Sequence, residues 1–420
     1  MKKSLVALAA LAATTAFAQS SVTLYGNIDQ AVFRSSADAG WLLSSNSNAG
    51  STSLWGITGK EDLGGGTSVS FDLKSELTLA TGSAGSGSSG INSSTATTTL
   101  SPNPVGTTTA TITATTTVTD PVAPMFNRGA WIGIANAGLG ELKVGRQNDA
   151  WWETTTKFNN TGINSFGWGN ATAGVSGTAA TMLPNLSGGG AAIGDFGRAH
   201  STTFGNPASR STGMAFFGGL SYATPVINGF QFKVGSGVPK IGYTTQMETN
   251  NVRSYSLNYA KGPLTAAWAT TTTNIGDEAG LKNTMIGAKY VMGQYTFTAA
   301  QNQTRLGSQV LTAVSGTGGA GKGHDADVRA FGVGYALNAK WNLDVGYTTT
   351  TDKTDTTNKF TQTGVTAKYA FSKRTTWYVA MGKGKNEGQT NYGAIWGGAV
   401  DAPGKGLNQT VYMTGLRHTF

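Results

Sequence analysis

The sequence predicts an all-β protein, a transmembrane antiparallel β-barrel of 16 strands with short turns at one end and long loops at the other. Three observations lead there. Segments of about ten residues alternate apolar with polar or tiny side chains, the period of a strand with two different faces. Connections between them alternate short and long with regular parity. No run of about 18 apolar residues occurs after the N-terminus, so the chain does not cross a bilayer as helices.

The first 18 residues read as a secretory signal peptide. Lys2 and Lys3 supply the positive start, Leu5 to Ala13 a short apolar run, and Ala16-Phe17-Ala18 the small-x-small cleavage pattern. Residues 19–420 are then the barrel. Alternation marks strands near 22–35, 52–62, 67–80, 127–136, 140–147, 211–224, 230–238, 252–261, 263–273, 282–291, 294–304, 327–337, 341–351, 359–371, 374–384 and 408–420. Within them Val69, Phe71 and Leu73 oppose Ser70, Asp72 and Lys74, and Phe331, Val333 and Tyr335 oppose Gly332, Gly334 and Ala336. Leu24, Phe71, Tyr255, Leu257, Tyr259, Val333 and Val345 are expected to face outward. Aromatic residues recur at strand ends, as an interfacial girdle requires. Short turns fall at 63–66, 136–140, 225–229, 261–263, 292–293, 337–340 and 372–374. An even strand count puts both termini at the short-turn end, and closure removes the exposed edges of an open sheet.

Two long connections stand out. Residues 81–125, rich in Thr, Ser, Gly and Ala, are expected to form a long external loop, partly ordered, with an external hairpin as the alternative. Residues 148–210 carry Trp151, Trp152 and Trp168; so many aromatics argue that this segment packs against something. The absence of cysteine excludes a disulfide scaffold. Net charge is +9, with basic residues scattered singly, which argues against a nucleic-acid partner and suits a mild anion preference inside a pore.

Several motifs carry a family resemblance. Ser21-Val22-Thr23-Leu24-Tyr25-Gly26 with Asp29, Gly59-Lys60-Glu61-Asp62-Leu63-Gly64-Gly65-Gly66, and Phe126-Asn127-Arg128-Gly129-Ala130-Trp131-Ile132-Gly133 come first. Gly145-Arg146-Gln147, Tyr222-Ala223-Thr224-Pro225 and Gly415-Leu416-Arg417-His418-Thr419-Phe420 follow in the same order. Together they resemble the general-diffusion porins of β-proteobacteria across essentially the mature chain. The resemblance implies a water-filled homotrimeric channel in the outer membrane, surrounded by lipid and passing small anions and hydrophilic solutes, with no cofactor. It also implies that the C-terminal strand, with Phe420, His418, Leu416 and Tyr412 on one face, is read by the barrel-assembly machinery. Small residues near the closure (Gly26, Gly56, Gly129) suit a subunit contact there.

By the same resemblance the segment after Gln147 folds inward and narrows the barrel. Its acids Asp149, Glu153 and Asp195 would then face wall cations, Arg128 first, Lys74 second and Arg210 third. Leu54, Thr58 and Asn27 stand where relatives place basic residues, so the expected anion preference is weak to moderate. Arg146 shares a face with Leu142 and Val144, away from water, and is a candidate latch to a neighbouring subunit.

Other chemistry finds little footing. Gly316 to Gly323 matches a phosphate-binding loop except that Gly323 stands where Ser or Thr would hold Mg²⁺, and no strand–loop–helix context surrounds it. The three histidines, His200, His324 and His418, lie far apart, and no enzyme site or spaced metal-ligand set emerges. Asp325-Ala326-Asp327 lacks the ligand count of a calcium loop. The rivals are a substrate-specific channel, a barrel enzyme assembled around His324, and a secreted adhesin or solenoid, which should show a fixed short repeat.

Overall fold

The computed structural model describes residues 21–36, 41–43, 50–80, 82–84, 95–99, 111–115, 125–168, 216–237, 252–275, 278–306, 324–353, 355–388, 390, 392–395 and 406–420. Sixteen antiparallel strands form the barrel: β1 Ser21–Ser35, β2 Leu54–Gly64, β3 Thr67–Thr78, β4 Gly129–Asn136, β5 Gly140–Asn148, β6 Phe216–Ala223, β7 Phe230–Gly237 and β8 Val252–Lys261. They continue with β9 Leu264–Ile275, β10 Glu278–Met292, β11 Tyr295–Leu306, β12 His324–Ala336, β13 Trp341–Asp352, β14 Lys359–Ala370, β15 Thr375–Glu387 and β16 Gln409–Thr419. Each strand pairs with the next, and β1 closes the barrel on β16. The seam is staggered. Residues 21–27 of β1 pair with β2, whereas Asn27 to Ser35 pair with Thr419 to Val411 of β16.

Short pieces lie outside this ring. Trp41–Leu43 folds back on β1, and Ser83–Ala84 on β3. Thr95–Thr99 pairs with Thr111–Thr115 as a separate two-stranded sheet, the hairpin alternative for that connection. The helical element α1, Ala150–Thr155, and a 3₁₀ turn at Thr156–Phe158 follow β5.

Side-chain alternation decides which face is which. Leu24, Tyr255, Leu257, Val333 and Val345 are exposed on the outside of the chain, and Phe71 and Tyr259 are partly so. Two outward rings lie directly over glycine backbone, Phe71 on Gly59 and Phe420 on Gly26; a Cβ at either glycine would sit 2.2 Å from the ring. At the short-turn end the outward aromatics meet as neighbours across strands: Phe230 with Tyr259 at 4.6 Å, Tyr295 with Tyr335 at 4.9 Å and Trp341 with Tyr369 at 4.9 Å. The Tyr and Trp rings among them are amphipathic and suit a membrane interface. The β6–β7 turn shows why the short connections are so short. Asn228 and Gly229 both take positive φ (52° and 92°), and Ile227 and Phe230 exchange two backbone bonds of 2.9 Å, the twist-matched two-residue hairpin.

Among the described residues the fully buried apolar side chains lie on the inside of the barrel, some on the inward segment and some on the inner face of the wall. Trp151, Phe158 and Trp168 pack with Ala267, Met285, Ala300, Val328 and Phe360, and Phe166 and Ile163 pack with Phe33, Tyr378 and Met413. This core is the inward segment seated on inward-facing strand residues.

Candidate functional site: the lumen and its inward segment

From Asp149 to Trp168 the chain leaves β5 and runs along the inner wall. Asp149 caps α1, its Oδ1 accepting from the Trp152 N–H at 2.7 Å, which satisfies one of the orphan donors of the first turn. Trp151 Nε1 donates to Asn302 Oδ1 on β11 at 2.7 Å. Further on, Asn160 Nδ2 donates to the carbonyls of Phe331 and Tyr347 at 2.9 and 3.2 Å and to Thr348 Oγ1 at 3.1 Å. Gly167 N–H donates to Gln362 Oε1 at 2.6 Å, and Asn164 N–H to the Gly50 carbonyl at 3.0 Å. Burying Trp151, Phe158, Phe166 and Trp168 supplies about 2 kcal/mol each before ordering costs are counted.

The wall is shaped to receive this segment. Gly332, Gly346, Gly364 and Gly382 are register partners in one row across β12, β13, β14 and β15. A Cβ at Gly332 would lie 2.4 Å from the Asn160 carbonyl oxygen, at Gly346 2.6 Å and at Gly364 2.8 Å from the Thr161 methyl, and at Gly382 2.4 Å from the Phe166 ring. Strand glycines often mark such close approach of another backbone. Their signal in the sequence is their inward parity, but their alignment depends on strand register, which sequence alone leaves open.

Thr156 and Lys157, at the turn after α1, are exposed to the lumen. The inner wall and segment also carry four carboxylate–lysine pairs: Asp72 with Lys74 at 3.2 Å, Glu141 with Lys143 at 3.1 Å, Glu153 with Lys233 at 2.6 Å and Asp344 with Lys368 at 2.9 Å. Lys143 also stands over the Trp131 ring, 4.2 Å from its centroid. Lys157 Nζ donates to Asn258 Oδ1 at 2.6 Å, and Lys289 Nζ to the Lys157 carbonyl at 3.5 Å. Among the described residues neither Lys157 nor Lys289 joins an ion pair. Desolvation inside the barrel, and then the Lys233 and Lys289 ammonium groups, lower the pKa of Lys157, partly offset by Glu153.

The expected site residues fall in different places. Glu153 meets a wall cation, and that cation is Lys233. Lys74 lies on the lumen side beside Asp72, which also accepts from the Tyr25 hydroxyl. Arg128 is buried against Glu76, its Nε donating to Glu76 Oε2 at 2.6 Å. It precedes the first residue of β4, so strand alternation does not set its direction and the buried carboxylate does. Asp149 faces no wall cation; it is fully buried, because the helix start it caps lies against the wall. Burial raises its pKa to about 7, against the opposing bond from the Trp152 N–H. Arg146 shares the outward parity of exposed Leu142 and Val144, and its Nε donates to the Asn127 carbonyl of the same chain at 2.6 Å. Arg210 and Asp195 lie outside the described residues, as do Gly316–Gly323 and His200. Asp325 and Asp327 pair with Arg305 at 3.3 Å and Arg329 at 2.9 Å on the outward face. Leu54 and Thr58 share the lumen face with Lys74 and Asp72 through register, as Asn27 does through Leu54. The sequence approach missed Lys157, Lys233 and Lys289; inward parity was the available signal for the last two.

A closed barrel with an apolar outer belt, a polar inner wall and an inward segment held on a glycine row defines an outer-membrane channel-type barrel, not a soluble β-protein. The family profile described as Gram-negative porin matches residues 4–389, and the chain belongs to that family. It is 46% identical to outer membrane porin protein 32 of Delftia acidovorans over 87 residues, which are 20% of this chain and a quarter of the length of that relative. Among solved structures it is similar to an anion-selective porin from Comamonas acidovorans, with 20% identity, 96% of this chain and 100% of that one covered, and a TM-score of 0.63. The trimer form of OmpT from Vibrio cholerae aligns over 96% of this chain and 99% of its own at 12% identity, with a TM-score of 0.54. The family and the fold place the protein in the Gram-negative outer membrane.

Proposed function

We propose that the protein is a general-diffusion channel, passing ions and small hydrophilic solutes passively with a weak to moderate preference for anions. The observation that carries this is the pair of cations outside any ion pair among the described residues, Lys157 and Lys289, where the inward segment narrows the lumen. Low-dielectric walls concentrate the field of such charges on a passing ion. The preference stays modest because the other four lumen lysines named above are each paired with a carboxylate, and because Leu54 and Thr58 bring no charge. The anion-selective porin from Comamonas acidovorans, similar in fold, supports the same sign. The trimer form of OmpT supports a homotrimer, in which Arg146 would stand near a neighbouring subunit, and Phe420 beside Gly26 would serve assembly into the membrane.

Single-channel recording in planar bilayers tests the channel itself. Conductance should rise in proportion to salt, with openings grouped in threes. Current that saturates at low millimolar concentrations of one solute would instead mark a substrate-specific channel. Absence of conductance steps from folded protein would contradict the proposal outright.

A further inference from the structure

The outer face carries a second set of cations that the channel does not use. Arg253 on β8 is the register partner of Thr272 on β9, Thr272 of Lys282 on β10, Lys282 of Arg305 on β11, and Arg305 of Asp325 on β12. All point away from the lumen, since Ser254, Thr271, Asn283 and Thr304 beside them are buried on the inner side. Arg253, Lys282 and Arg305 are exposed. Neighbouring strands lie about 4.8 Å apart, so three cations and a hydroxyl fall in a row about 14 Å long. Among the described residues, Arg305 alone of the three cations joins an ion pair, with Asp325 at 3.3 Å, the side chains 56% and 38% exposed.

Two features of the row point to an anion. Lys282 and Arg305 stand directly opposite each other, an arrangement that destabilises a sheet unless something negative sits between. The row is also at a particular height. Arg305 lies ten residues above Tyr295 along β11; at about 3.3 Å per residue and a tilt of about 40° that is about 25 Å, the height of an outer-membrane apolar band. Beneath it lie Tyr255, Trp268, Ile286 and Phe297, all exposed and apolar or aromatic. The cations therefore stand at headgroup level on the side opposite the short turns, above surface that suits acyl chains.

We propose that this row binds the phosphate groups of an anionic glycolipid of the outer leaflet. A second copy of the chain is a poor occupant, because the same face turned on itself would set cation against cation. A transported solute is excluded from it by the barrel wall.

The test is native mass spectrometry of the full-length protein in mild detergent, titrated with bisphosphorylated lipid A and with the same lipid stripped of phosphate. The intact protein should prefer the phosphorylated lipid by on the order of tenfold or more. The variant Arg253→Gln/Lys282→Gln/Arg305→Gln should lose that preference to within about twofold. Lys383→Gln/Lys385→Gln, on β15, should keep it, and unchanged single-channel conductance would show that the barrels are folded. Equal binding of both lipids, or an unaltered preference in the triple variant, would overturn the proposal. So would phosphatidylglycerol binding as tightly as the phosphorylated glycolipid, displacement by millimolar inorganic phosphate, or a changed oligomer mass in the triple variant.

Discussion

Asp149 sits where β5 ends and α1 begins, and two physical demands meet in its carboxyl group. As a cap it accepts from the Trp152 N–H; as a fully buried group its charge is disfavoured, and its pKa rises from 3.8 to about 7. Between those values the docked segment holds a proton that an undocked one has released. Docking is thus strongest below pH about 4 and weakens as pH climbs through about 7. Amide exchange at Trp152 and Glu153, corrected for its intrinsic pH dependence, should show protection falling across that window, and Asp149→Asn should flatten the trend. Lys157 is expected to lose its charge below the ordinary lysine value of 10.5. Anion preference should accordingly decline as alkaline pH approaches that value, and Lys157→Arg, which stays charged, should preserve it. Reversal potentials measured from neutral to alkaline pH check the pair. Neither role was legible in the sequence. A cap can be recognised only once the helix start is known, and Lys157 stands alone in a connection whose path no periodicity predicts.

Elements were far more legible than sites. Strand positions follow from a two-residue period, and short turns from Gly, Pro and Asn, because both are local properties of the chain. The path of the segment after Gln147 is not local. Asn160 bonds to residues 171 to 188 positions away, and its seat exists only because four strands align their glycines. Gly332→Val tests that seat, since its Cβ would meet backbone of the segment. Overpacking of this kind costs about 1–3 kcal/mol, yet valine suits a strand, so the barrel should stay folded while the segment loosens. Larger and noisier single-channel currents are the expected result, against a silent Gly218→Ala, where an added Cβ meets nothing within 4 Å. Asn160→Ala should act in the same direction, because it removes the donor shared by two carbonyls and a hydroxyl, with a loss on the order of 1–3 kcal/mol at that contact.

At the scale of the whole molecule the barrel sorts its residues by solvent. Its outer belt is apolar because it meets lipid, its inner wall is polar because it meets water, and among the described residues its buried apolar clusters gather where the inward segment crosses. The lumen charges follow the same economy. Four lysines are matched by four carboxylates, and Lys157 and Lys289, which join no ion pair among the described residues, lie at the crossing, where they set a small positive field on a passing ion. That is the central claim, and the reversal potential in asymmetric KCl tests it most directly, for the parent channel and for Lys157→Ala/Lys289→Ala. The account predicts a modest anion-selective potential in the parent that moves to zero or to weak cation preference in the double variant. A clearly cation-selective parent, or a double variant indistinguishable from it, would contradict the account.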